Sequence, residues 1–235
     1  MLLTERGLAE SRQKAQAMIL AGQVFVAGQK QSKAGSAVSS AARVEVAGEK
    51  VRYASRGGLK LEGALEDFGV NARGKTCLDI GSSTGGFTDC LLQHGAARVV
   101  AVDVSPAQLA WKLRQDPRVV AVKQNARNLS REDFAERSEL ITVDVSFISV
   151  AKIIPPAAAM AEPGADLLIL IKPQFELSRG EVGKGGIVRE SRLHQQAIER
   201  ATAAAESAGL RVRGVRPSRV TGAGGNQEYF LHAQK

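Results

Sequence analysis

A chain of 235 residues with 44% hydrophobic and 24% charged residues has the composition of one large domain, or of a medium domain with a small companion, and excludes wholesale disorder. Its formal net charge is +8, and residues 1–60 hold ten Lys/Arg against four Glu, so that +6 of the excess lies in the first quarter of the chain. A basic leading module ahead of a nearly neutral body is an electrostatic handle for a polyanion.

Within 10–22, Ala15, Met18, Ile19 and Leu20 recur at helical spacing, with Ser11 placed to cap the start and Gly22 to stop the end. Val24-Phe25-Val26 then runs into a turn at Ala27-Gly28, and Val44 and Val46 alternate with polar neighbours like a second short strand. Glu5-Arg6-Gly7-Leu8-Ala9-Glu10-Ser11-Arg12, Ala15, Ile19 and Gly22-Gln23-Val24-Phe25-Val26-Ala27-Gly28 resemble the RNA-binding domain named after small-subunit ribosomal protein S-four, over about residues 2–48. That resemblance implies a small α+β RNA-binding domain at 1–50 with Arg12 and Lys14 on the RNA-facing helix. Arg6, Lys30 and Lys33 are expected to add phosphate contacts.

Residues 51–59, around Arg56-Gly57-Gly58, read as a linker, with Arg56 a further candidate RNA contact. Over 60–235, apolar runs at 76–80, 99–104, 119–122, 140–145 and 167–171 alternate with helical patterns at 87–93 and 107–114. This alternation predicts a doubly wound, mostly parallel sheet. A long helix near 190–208 precedes two closing strands, 210–215 and 228–232, expected as an antiparallel hairpin at the sheet edge. Trp111 falls in a helical pattern and is expected in the core.

Leu78-Asp79-Ile80-Gly81-Ser82-Ser83-Thr84-Gly85-Gly86-Phe87 is a strand ending in a Gly-rich turn that opens a helix, the usual place for a nucleotide. It departs from the dinucleotide pattern. Asp79, just ahead of the turn, would repel a pyrophosphate and suits a ligand carrying an ammonium group. Asp103, at the end of the next strand, stands where an acid hydrogen-bonds ribose hydroxyls. Ribose without pyrophosphate points to S-adenosylmethionine, with Gly81, Ser82, Ser83, Gly85, Gly86 and Phe87 in its loop, Asn125 and Ala126 at the adenine, and Asp144 after the fourth strand. These make a Rossmann-like S-adenosylmethionine methyltransferase fold the expected class.

The residues after the fourth strand narrow the choice of acceptor. Asp144-Val145-Ser146-Phe147 lacks the two prolines typical of amino-group methylation, and Cys77 and Cys90 lie inside predicted elements where a nucleophilic thiolate is not expected. Lys60, Asp144, Lys172 and Glu228 remain, two ammonium groups and two carboxylates that a sheet edge can gather. A ribose hydroxyl needs a base, and a lysine crowded by another cation and partly desolvated suits that task. Lys172 is therefore the candidate base, Asp144 and Glu228 the groups that orient the lysines, and Lys60 the stabiliser of the developing oxyanion.

The order of these four residues, with Lys172-Pro173 after the fifth strand and Glu228-Tyr229-Phe230 opening the last, resembles the FtsJ-like ribose 2′-O-methyltransferases from about Ser55 onward. Together with Ser55-Arg56-Gly57-Gly58-Leu59-Lys60-Leu61, Ile171-Lys172-Pro173-Gln174-Phe175-Glu176 and Gly183-Lys184-Gly185-Gly186-Ile187-Val188-Arg189, the whole chain resembles the TlyA family. The resemblance implies 2′-O-methylation of cytidine in ribosomal RNA, with ribosomal RNA or subunits as partners, and carries a family label of haemolysin. From the residues alone, another RNA substrate stays open, as does an RNA- or ribosome-binding factor whose methyltransferase fold is inactive. The Gly-rich stretch 178–189 reads as a mobile basic loop, with Arg179, Lys184 and Arg189 as candidate RNA contacts.

No window holds the roughly 18–20 apolar residues of a membrane span, the best, 153–171, being broken by Pro155, Pro156, Glu162, Pro163 and Asp166. No basic amphipathic helix argues for membrane insertion either. The first residues carry no leader pattern, the two cysteines form no framework, and His94, His194 and His232 lack companions at metal spacing. A cytoplasmic protein without a metal site is the expectation.

Overall fold

The computed structural model describes residues 2–235 apart from 7, 10, 41, 47–51, 136 and 179, and without the side chains of 133, 184 and 223. The chain divides into two compact units, Met1–Val51 and Arg52–Lys235.

In the first unit a short helix α1 (Leu2–Glu5) and helix α2 (Arg12–Leu20) accompany a three-stranded antiparallel sheet of β1 (Val24–Val26), β2 (Gln29–Gln31) and β3 (Val44–Val46), with β1 in the middle. Ser11 caps α2 by accepting a hydrogen bond from the Lys14 amide, and Gly22 ends it with a φ of +68°. Leu3, Ala15 and Val24 form the small core. The β1–β2 hairpin has a two-residue turn, Ala27-Gly28, with both φ angles positive, which matches the strand twist at the cost of a left-handed Ala.

The second unit is a seven-stranded sheet. Its strands are β4 (Thr76–Ile80), β5 (Arg98–Asp103), β6 (Val119–Lys123), β7 (Ser138–Val143), β8 (Ala161–Ile171), β9 (Arg211–Pro217) and β10 (Tyr229–Gln234), in the order β6-β5-β4-β7-β8-β10-β9. The first five are parallel, and β10 is antiparallel to both of its neighbours. The closing pair is the antiparallel hairpin expected at the sheet edge, with β9 outermost and the last strand between β8 and β9. Its first residue thus lies beside the end of β8, with Tyr229 opposite Ile171.

Alternate residues of the central strands feed two cores. Leu78, Ile80, Ile141, Val143, Ile169 and Ile171 face α6 (Ile154–Met160) and α8 (Ser191–Ser207), where Ala197, Ala201 and Ala205 recur every fourth residue and let α8 approach the sheet closely. Cys77, Val99, Leu140, Leu168 and Phe230 face α3 (Gly57–Phe68) and α4 (Gly86–Gln93).

Helix α3 corrects the expected linker, since its first turn begins at Gly57. A Cβ on Gly58 would lie 2.2 Å from Cγ of buried Tyr53, so this glycine serves close packing rather than flexibility. The preceding residues are tied down as well. The Ala54 amide donates to Asp89 Oδ2 at 2.7 Å, and Gln93 Nε2 donates to the Arg52 carbonyl at 2.8 Å. The pattern at 107–114 resolves into one turn at 106–108 and the four-residue helix α5 (Trp111–Arg114). Trp111 is 70% exposed, contrary to the expected core position, because Leu109 and Leu113 take the inward face. Among the described residues no helix is long and apolar enough to cross a membrane.

Candidate active site

The carboxyl ends of the parallel strands open onto two adjoining clefts. The first, of about 510 Å³, is lined by Gly81, Ser83, Asp103, Gln124, Asn125, Ala126, Asp144 and their neighbours. Asp103 ends β5, and its carboxylate is preset by two backbone donors, the Ser83 amide at 2.9 Å and the Ser105 amide at 2.8 Å. Asn125 lines the same cleft while its Oδ1 caps the turn at 126–128 by accepting from the Arg127 amide. A Cβ on Gly81 would stand 2.3 Å from the Asp144 carbonyl oxygen, and its φ is +86°, so glycine is required for β4 and β7 to end side by side here.

The second cleft, of about 420 Å³, brings all four charged candidates together: Lys60, Asp144, Lys172 and Glu228 line it with Ser82, Gly86 and Phe87. They form two ion pairs. Lys60 Nζ, from α3, lies 2.6 Å from Oε2 of buried Glu228, and Lys172 Nζ, just past β8, lies 2.5 Å from Asp144 Oδ1 and donates to Ser146 Oγ at 2.9 Å. Each lysine therefore faces a carboxylate, and both lysines line the same cleft. Taking two such pairs out of water carries a desolvation penalty that can exceed their mutual attraction, and charges gathered this way in a cleft mark a candidate functional site.

Two residues expected to hold the cofactor do not line either cleft. Asp79 is fully buried, its Oδ2 accepting from Thr88 Oγ1 at 2.6 Å and its Oδ1 from Thr142 Oγ1 at 3.0 Å. It braces β4 against α4 and β7 from beneath the loop, and burial pushes its carboxyl up to about 6. Gly85 has a φ of +94° and is packed under Leu113 and Leu109, so its role is to let the loop turn. The thiols of Cys77 and Cys90 are buried and pushed up to about 12 by that burial, which leaves no thiolate nucleophile there.

Several cleft residues escaped sequence reasoning. Phe147 stands at the rim of both clefts, 91% exposed and with a left-handed φ of +63°, a strained backbone for a bulky residue. Its ring meets that of Phe175 at 5.2 Å, and the Lys172 ammonium lies 6.0 Å over the Phe175 ring. An aromatic directly after a strand-end Asp-Val-Ser was the available signal. Glu176 lines neither cleft but supports them: buried, it accepts from Ser149 Oγ at 2.5 Å and from the Val150 amide at 2.8 Å, so α7 (Pro173–Glu176) grips the segment that carries Ser146 and Phe147. Burial raises its carboxyl from the ordinary range.

The donor set suits S-adenosylmethionine. Ser82 Oγ and Gln174 Oε1 are buried at the second cleft without a hydrogen-bond partner, polar atoms that a ligand can satisfy. Asp103 offers a preset acceptor for ribose hydroxyls, and the Asp144 carboxylate between the clefts suits a positive centre.

Of the candidate RNA contacts, Arg12, Lys14, Lys30 and Lys33 are exposed in the first unit, whereas Arg6 is engaged within it, donating to the carbonyls of Ala42, at 2.7 Å, and Ser40. Arg56 lines the charged cleft and Arg189 is exposed. Arg179 and the Lys184 side chain lie outside the described residues. The loop is not wholly free, because Asn226 holds it, accepting from the Val188 amide at 2.9 Å and donating to the Gly186 carbonyl at 2.8 Å.

Residues 53–235 match the family model of the FtsJ-like methyltransferases, and residues 1–44 match that of the S4 domain. The 16S/23S rRNA (cytidine-2′-O)-methyltransferase TlyA of Mycobacterium tuberculosis is 45% identical over 97% of this chain and 86% of its own length. A solved structure from Streptococcus thermophilus is 42% identical, with a TM-score of 0.78 over 100% of this chain and 86% of that one. An S-adenosylmethionine-dependent methyltransferase from Mesorhizobium loti, 15% identical, shares the fold with a TM-score of 0.57 over 75% of this chain and 98% of its own.

Proposed function

The chain belongs to the TlyA family of FtsJ-like methyltransferases, and from that membership we propose that it transfers a methyl group from S-adenosylmethionine to a ribose 2′-hydroxyl of ribosomal RNA, at a cytidine. The observation that carries this reading is the convergence of Lys60–Glu228 and Lys172–Asp144 on one cleft beside the Asp103 cavity.

S-adenosylmethionine, when bound, supplies a sulfonium-activated methyl group. Asp103 and the 81–83 loop hold its ribose side, and Asn125 and Ala126 border its base. Lys172 Nζ, having given up its own proton to solvent, takes the proton of the substrate hydroxyl, and Asp144 stabilises the ammonium that results. Lys60, anchored by Glu228, offsets the negative charge growing on the 2′-oxygen. Phe147, exposed at the rim, gives the substrate nucleotide a face to stack on. The exposed basic residues Arg12, Lys14, Lys30 and Lys33, with Arg56 and Arg189, contact phosphates.

The test is transfer of radiolabelled methyl to isolated ribosomal subunits and to protein-free ribosomal RNA, followed by nuclease digestion to locate the label. Label in a 2′-O-methylated cytidine is expected. Lys172→Ala should bind the cofactor as before while transfer falls by about 10²- to 10⁴-fold. Label on a base overturns the assignment of the acceptor, and near-wild-type turnover by Lys172→Ala overturns the assignment of the base. Cofactor and RNA binding without any transfer would identify an RNA-binding factor that retains a cofactor pocket.

A further inference from the structure

The strand β9 forms one edge of the seven-stranded sheet, and its sequence, Arg211-Val212-Arg213-Gly214-Val215-Arg216-Pro217, is strongly basic. Residues 210–227 contain four arginines and no acidic residue. Arg211, Arg213 and Arg216 are exposed, and among the described residues none of the three forms an ion pair. Arg219 differs, since it pairs with Glu66 and Asp67 of α3, each at 2.5 Å.

A β-bulge sets the direction of these side chains. Val212 is opposite Ala233 and Gly214 opposite His232, so Arg213 is the extra residue. The shift lets Val212 and Val215, three apart, both pack against the core under α8. It also puts Arg216, opposite Phe230, on the same face as Arg211, opposite Gln234. A regular strand would turn Arg216 toward the α8 core.

Arg213 Nε donates to Gln234 Oε1 at 2.7 Å, and Gln234 Nε2 donates to Asp166 Oδ1 at 2.9 Å. That carboxylate is already engaged by Lys75 at 3.2 Å and His232 at 2.9 Å, so the strip keeps its charge. The upper end of the strip adjoins the active site, where the Ser218 amide donates to the Glu228 carbonyl at 2.8 Å. Arg211 to Arg216 spans about 15 Å of strand, room for several phosphates at about 3.4 Å per nucleotide along a duplex strand.

We propose that the arginine edge of β9 is a contact surface for the RNA backbone flanking the nucleotide in the cleft. The proposal rests on the assignment of ribosomal RNA as substrate. The partner is a polyanion of regular charge spacing, held by guanidinium groups that also donate hydrogen bonds to phosphate.

The full chain carrying Arg211→Gln, Arg213→Gln and Arg216→Gln tests it, by binding to protein-free ribosomal RNA and to isolated subunits between 50 and 200 mM salt. Each lost phosphate contact lowers the slope of log affinity against log salt by about 0.7 to 0.9, so a fall of about two to three is expected, with affinity at least tenfold weaker. Cofactor affinity should not change, and the corresponding triple Lys variant should keep the slope. An unchanged slope on both RNA probes overturns the proposal. So does a Gln variant that aggregates while its monomer binds RNA as before, which would assign the arginines to blocking edge-to-edge association. Failure of the methyltransferase reading looks different: the wild type transfers no methyl, yet the Gln variant still loses RNA affinity.

Discussion

Asp79 offers the sharpest quantitative test of the architecture beneath the cofactor loop. Its carboxyl is fully buried, with the hydroxyls of Thr88 and Thr142 and the Thr88 amide as donors, and burial outweighs them and lifts it from 3.8 to about 6. A carboxyl raised on folding stabilises the native state below the lower value, and that contribution is lost as pH rises through the higher one. A difference of about two units corresponds to about 3 kcal/mol, of which about half is lost above pH 5. Asp79→Asn has nearly the same shape, and either threonine hydroxyl can rotate to accept from the new amide. The variant should therefore match wild type near pH 4 and exceed it by up to about 3 kcal/mol at pH 8. Urea unfolding of both proteins at several pH values gives the gap, and taking the difference removes the contributions of all other carboxylates. A gap that is constant across the range, or that widens as pH falls, refutes the assignment of a strained buried charge.

Asp103→Ala removes the acceptor preset by Ser83 and Ser105, and S-adenosylmethionine affinity measured by calorimetry should fall at least tenfold, given about 1.5–3 kcal/mol for a hydrogen bond to a charged group. An unchanged affinity removes the ribose from that position. Glu176→Ala leaves the buried Val150 amide without its acceptor and should cost about 1–3 kcal/mol in urea unfolding, with Glu176→Gln recovering most of the loss. Equal stability of the Ala variant and wild type would contradict the clamp. Ala27→Asn places a residue that tolerates left-handed backbone at a φ of +49° and should slow hydrogen exchange in the β1–β2 hairpin, reflecting a gain of up to about 1 kcal/mol.

Much of this was legible in the sequence because the signals are local. The alternation of apolar runs with helical patterns located all five parallel strands, and the glycine loop after Asp79 located the proposed cofactor cleft. The features that escaped depend on contacts distant in sequence. Pro155 and Pro156 read as interruptions but occupy the first turn of α6, where the missing amide does no harm. Gly57-Gly58 reads as flexible until Tyr53 is seen packed against it. Asp79 reads as a ligand contact because a strand's alternation fixes the face of a side chain but not the depth of the layer above it. The exposure of Trp111 and the strained turn at Phe147 belong to loops whose path is set by the elements they join.

The topology explains how four charges scattered from residue 60 to residue 228 meet. Asp144 and Lys172 follow the ends of neighbouring parallel strands, so both reach the carboxyl edge, and Val143 opposite Ile169 fixes their relative height. Glu228 reaches the same edge only because β10 runs backwards, placing its beginning where the other strands finish. Had the last strand been parallel, the glutamate would lie at the far end of the sheet and Lys60 would have no partner. The insertion of β10 beside β8, rather than at the outer edge, brings Glu228 within reach of α3, so that Lys60 completes the pair at 2.6 Å. Breaking either pair strands a poorly solvated charge, which is destabilising, whereas an apolar pair of similar shape is often neutral or stabilising. Stability alone therefore gives no reason to place two such pairs in one cleft, whereas the proposed chemistry, with a proton moved at Lys172 and charge stabilised at Lys60, gives one.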